Sequence, residues 1–175
     1  MQTRRELSRP GRPLSACSGT GVFAGYASLF GQRDAAGDVM MPGAFAKSLR
    51  SGRAVRMLFQ HDPAEPVGTW LAMHENERGL HVLGRLDKNV QRGRELLSLL
   101  ESGGLDGLSI GFKTVTAARD KGSGTRRLQR VDLWEISLVT FPMLTGARVC
   151  ELKTHARIAA GQLFAAARSI QQGVN

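Results

Sequence analysis

Residues 103–117 read Gly-Gly-Leu-Asp-Gly-Leu-Ser-Ile-Gly-Phe-Lys-Thr-Val-Thr-Ala, and how this stretch is resolved decides the fold. Residues 107–111 match Gly-x-Ser-x-Gly, which in one large hydrolase class marks a serine on a sharp turn from strand into helix. Here the residues after Gly111 alternate and are β-branched, which continues a strand and excludes that turn. Strand alternation puts Leu108, Ile110 and Phe112 on one face and Ser109, Gly111 and Lys113 on the other. A serine between glycines leaves room for a substrate backbone, and amides near Gly103–Gly107 are expected to serve as oxyanion donors. An ordinary exposed serine in a glycine-rich hairpin would fit this segment equally well.

On either side of this stretch, short apolar runs recur at 22–30, 54–61, 67–73, 79–86 and 127–141, separated by Gly, Pro, Asn and Asp. Two helices interrupt them, one expected over 42–52 behind Pro42 and one over 88–104 ending at Gly103–Gly104. Residues 150–172 place Leu152, Ala156, Ala159, Leu163, Ala167 and Ile170 at helical spacing, so an amphipathic helix is expected there. It suits a dimer contact and a cover for the chain's own sheet equally. Many strands, few helices and no regular βαβ alternation predict an α+β, mainly antiparallel sheet or barrel with helices outside. Residues 1–19, rich in Pro, Gly, Ser and Arg, read as a mobile tail, 20–148 as the main domain and 149–175 as a C-terminal helical segment.

Charge and cysteines narrow the class. Of the net +9, residues 1–13 contribute +3, 119–130 contribute +4 and 148–175 contribute +3, leaving −1 for the rest. The body is neutral, and the basic segments suit solvation or contact with an acidic partner, nucleic acid included. Cys17 and Cys150 lie far apart, which points to a reducing compartment rather than a disulfide framework. No apolar run is long enough for a membrane helix, and the arginine-bearing N-terminus lacks the apolar stretch of a secretory signal.

A serine nucleophile needs a base, and four histidines are available. His61 closes an apolar run just before Asp62–Pro63, which are expected to end that strand, and a strand-end histidine suits general base work. His74 and His81 bracket a polar hairpin and read as surface residues, and His155 falls in the C-terminal segment. No histidine or cysteine spacing matches a metal site, so no cofactor is expected. To orient the base, 131–141 offers Asp132 and Glu135, on opposite faces if the strand is regular. Glu135, deeper in the apolar run, has the greater need of a specific partner, and Asp132 stays open as the alternative.

Four segments in order, GYASLFGQRDAAGDVMMPGAF (25–45), LFQHDPAEPVGTW (58–70), GLDGLSIGF (104–112) and VDLWEISLVTFPM (131–143), resemble the prohead proteases of tailed bacteriophages, distant relatives of herpesvirus assemblin. The resemblance runs from about Val22 to Arg148. It implies a β-barrel wrapped by helices and a serine endopeptidase with His61 as base, Ser109 as nucleophile and Glu135 as third member. In the herpesvirus relatives a second histidine fills that third role. The resemblance also implies work inside the assembling prohead in the host cytoplasm, on the major capsid protein or a scaffold, commonly with self-cleavage. The tail 1–19 and the segment beyond Arg148 are the expected self-cleavage regions. From a different class, a non-catalytic capsid-assembly or scaffold-binding protein would share the composition and basic segments.

Overall fold

A computed structural model describes residues 20–120, 122 and 124–152. Eight strands and two helices follow in the order β1 (Val22–Leu29), β2 (Asp38–Met40), α1 (Ala46–Arg50), β3 (Arg56–Phe59), β4 (Asp62–Glu75), β5 (Gly79–Leu86), α2 (Gln91–Ser102), β6 (Gly107–Arg119), β7 (Arg126–Val139) and β8 (Val149–Leu152). The result is a mixed α+β fold, mostly strands. One sheet runs β2-β7-β3-β4-β5-β1-β8, and β6 pairs with β7 off this path. The pairings are antiparallel except β2–β7 and β3–β7, which are parallel. The ladders leave the sheet open. Its two ends approach at a single bridge between Gly107 and Arg148, flanked by Leu108 N to Ala147 O at 2.9 Å and Val149 N to Asp106 O at 2.8 Å.

Apolar residues recurring along the strands build one core. Phe23, Leu80, Leu108, Leu133, Ile136 and Leu138 are fully enclosed, and Leu96 and Leu100 of α2, one turn apart, are enclosed with them. The helix α2 stops where expected. Gly103 takes the left-handed conformation at φ 75°, and the Gly103 and Gly104 amides turn back to Leu100 O and Leu99 O. The first helix is shorter than the 42–52 expectation, because Gly43 at φ 85° and the turns over 42–45 delay it to Ala46.

Two strands escape a reading based on apolar runs. Strand β2 is only three residues long and is held to β7 by Asp38, whose carboxylate takes two hydrogen bonds from Arg126. Strand β8 occupies the start of the segment expected to be helical. Leu152 pairs with Phe23 there, so helical spacing misassigned residues 150–152, which a neighbouring strand edge captures. The remainder of that expected helix, His155 and the tail 1–19 lie outside the described residues.

Candidate active site

Strand β7 lies between β3 and β6, and each of the three brings one of the reactive residues expected from the sequence. Glu135 is on β7 itself. Ser109 lies on β6, opposite Ser137, while Gly111 is opposite Glu135. Directly opposed residues share a face, so Ser109 and Glu135 project to the same side, about one strand spacing of 4.8 Å apart laterally. His61 follows β3 in a two-residue turn with Gln60. Both have positive φ, 53° and 62°, the mirror-image hairpin turn that matches strand twist. Asp62 and Pro63 do not end a strand as expected; β4 begins at Asp62.

The His61 and Glu135 side chains meet, Nδ1 to Oε1 at 2.7 Å. A carboxylate only accepts, so Nδ1 carries the hydrogen and Nε2 is left as the free base. The His61 side chain is 41% exposed and that of Glu135 12%. The Glu135 hydrogen bond raises the imidazole above the ordinary histidine range, against the opposing pull of burial. The second Glu135 oxygen accepts from Ser137 Oγ at 2.7 Å, and Ser137 Oγ accepts from the His61 backbone N–H at 3.1 Å. Gly111 makes space for this carboxylate, since a Cβ at 111 would overlap Glu135 Oε1. Ser109 is buried. Among the described residues no hydrogen bond joins it to His61 in the resting chain.

Asp132 is elsewhere. It is bound by Arg53 and by Trp134 Nε1 at 2.8 Å, and these donors hold its carboxyl below the usual range. The argument from opposite faces needs correction. Trp134 is an extra residue between Leu133, opposite Phe112, and Glu135, opposite Gly111, and this bulge resets the alternation. Leu133 consequently joins Ile136 and Leu138 in the core instead of sharing the face of Glu135. Of the expected oxyanion donors, the Gly103 and Gly104 amides are already closed onto the end of α2. His74 and His81 pack with ring centroids 5.0 Å apart and planes tilted by 47°, and His81 meets Tyr26 edge-on, on the β4–β5 hairpin. Ser137 and the turn residue Gln60 were passed over in the sequence. A hydroxyl two residues from a carboxylate, inside an apolar strand, was the available signal.

A cavity of about 140 Å³ touches Ser109, but its β6 lining is mainly Leu108, Ile110 and Phe112, the face turned away from Glu135. It belongs to the core side of β6. Among the described residues no group of three or more His, Cys, Asp or Glu side chains is placed to hold a metal ion, and no helix is long and apolar enough to cross a membrane.

The chain is 36% identical over 142 residues to a prohead protease of Enterobacteria phage HK97, covering 77% of this chain and 61% of that relative, so it spans about three fifths of the relative's length. Its fold resembles the capsid assembly protease of bacteriophage T4, at TM-score 0.55 and 13% identity over 69% of this chain and 82% of that one. It also resembles KSHV protease, solved with a hexapeptide phosphonate inhibitor, at TM-score 0.52 and 14% identity over 73% and 63% of the two chains. At such identities these two structures speak for the fold alone. The model of the caudovirus prohead serine proteases matches residues 12–160, and the chain belongs to that family.

Proposed function

We propose that this protein is a serine endopeptidase that matures a phage prohead by cutting capsid or scaffold protein, and itself, inside the assembling particle in the host cytoplasm. The reading rests on family membership and, within the chain, on one observation: the His61–Glu135 pair lies on the face of β7 that Ser109 shares from the adjoining strand. In this reading His61 Nε2 takes the Ser109 proton as Oγ attacks the peptide carbonyl carbon. The imidazolium, stabilised by Glu135, then gives that proton to the leaving amine as the C–N bond breaks. Water, activated by the same nitrogen, releases the acyl group and restores Ser109. Closure of the sheet into a helix-wrapped barrel belongs to the same reading, with the Gly107–Arg148 bridge as its seam. The candidate self-cleavage regions remain 1–19 and the residues beyond Arg148.

Co-expression with the cognate capsid protein, followed by mass spectrometry of the products, tests the proposal. Ser109→Ala is expected to lower turnover on the order of a million-fold if the three residues act as a unit. A serine-directed phosphonate should label Ser109 in the parent chain. Undiminished cleavage by Ser109→Ala would sink the reading. Absence of cleavage and labelling in the parent, with salt-sensitive scaffold binding, would favour a non-catalytic assembly protein.

A further inference from the structure

Ser137 does no chemistry in the reaction above, yet it touches both members of the His61–Glu135 pair. It is completely enclosed. A hydroxyl has one hydrogen to give and lone pairs with which to accept. Ser137 Oγ gives its hydrogen to Glu135 Oε2 at 2.7 Å and accepts the His61 backbone N–H at 3.1 Å. The two partners come from different parts of the chain, Glu135 two residues away on the same strand and His61 from the β3–β4 turn. We propose that Ser137 is a positioning residue for the endopeptidase reaction, holding the Glu135 carboxylate toward His61 Nδ1 and anchoring the His61 backbone so that Nε2 is presented toward β6. This rests on the assignment of His61, Ser109 and Glu135 made above.

Two features show why such an anchor is needed. A glutamate side chain has three rotatable bonds, and with Oε2 free the carboxylate can swing toward water, losing the imidazole. The turn is also costly, because Gln60 and His61 are consecutive non-glycine residues in the left-handed region. Its remaining ties, Gln60 N to Leu138 O at 3.0 Å and Gln60 Nε2 to Thr140 Oγ1 at 2.8 Å, grip Gln60 and leave the His61 N–H to Ser137. Ser137 is excluded as a second nucleophile by enclosure and by commitment of its hydrogen to a carboxylate. Glu135 is the charged group acting on His61, with the ring's partial burial opposing it.

Ser137→Ala in the full chain is the test, read by cleavage of the capsid protein across pH. The expected result is a loss of about 10- to 100-fold in kcat/KM, the scale of one hydrogen bond to a charged group. The acidic limb should move to lower pH, because a carboxylate that drifts away no longer holds the imidazolium. NMR titration of the His61 ring in a Ser109→Ala background should show the same downward move without requiring turnover. Ser137→Cys, close in size but a weak donor, should behave likewise. Wild-type rate and limb in folded Ser137→Ala would overturn the proposal. So would a rate loss with limb and titration unmoved, or failure of both variants to fold, since either makes the hydroxyl merely structural. If instead Ser109→Ala cleaves normally, the catalytic reading fails, while the His61 titration still reports whether Ser137 anchors the pair.

Discussion

At the scale of single residues, Gly111 and Glu135 form a matched pair. Glycine is required at 111 because a methyl group there would occupy the position of Glu135 Oε1. Gly111→Ala is therefore expected to displace the carboxylate and lower kcat/KM by about 10- to 100-fold with the fold retained, checked by turnover alongside circular dichroism. Glu135→Gln removes the charge that favours the imidazolium, so the histidine-dependent acidic limb should fall to lower pH as the rate drops. Asp132→Asn, whose carboxylate serves Arg53 and Trp134, should leave both rate and limb near the parent values. A pH–rate series across these variants separates the two acids. The sequence pointed to Glu135 through burial, but the face argument offered beside it assumed a regular strand. The bulge at Trp134 makes that assumption fail, and nothing in the local pattern marks such a bulge.

At the scale of elements, the glycines at the end of α2 terminate a helix. Gly103 sits at φ 75° with open space where a Cβ would go, so Gly103→Ala meets backbone strain without a clash. It should cost about 1 kcal/mol of stability, read from the urea midpoint, and leave turnover unchanged. A large loss of turnover at constant stability would return this segment to the oxyanion site. The two-residue turn between β3 and β4 is the opposite case, with neither position occupied by glycine or asparagine. Gln60→Val, which puts a β-branched residue at positive φ, should destabilise by about 1–3 kcal/mol and reduce activity together, because the same turn carries His61. Long alternating strands were legible because their period of two survives bulges locally. Strands β2 and β8 were not, being too short to show a period and held by partners distant in sequence.

At the scale of the whole molecule, site and core are two sides of one strand. Ile136 and Leu138 enter the core between and beyond Glu135 and Ser137, so Leu138→Ala should cost about 2–5 kcal/mol by chemical denaturation. The His61–Glu135 pair also links folding to pH. Because the folded chain raises the imidazole, its contribution to stability is fully present below the ordinary histidine value near 6.5. That contribution is lost as pH rises through the raised value. The melting-temperature gap between the parent and Glu135→Gln should narrow from mildly acidic to alkaline pH, and a gap that widens would contradict the assignment. By itself the sequence determined the main strands, the position of α2 and the mainly β class, and it singled out His61, Ser109 and Glu135 as candidates in that order. Those features follow from side-chain period, glycine punctuation and the cost of burying a lone carboxylate, all of which are local. The tertiary structure alone decided that β7 separates β3 from β6, that Glu135 and not Asp132 meets His61, and that Ser137 ties the pair together. Register and strand order depend on contacts between residues as distant along the chain as Phe23 and Leu152, which no local pattern records.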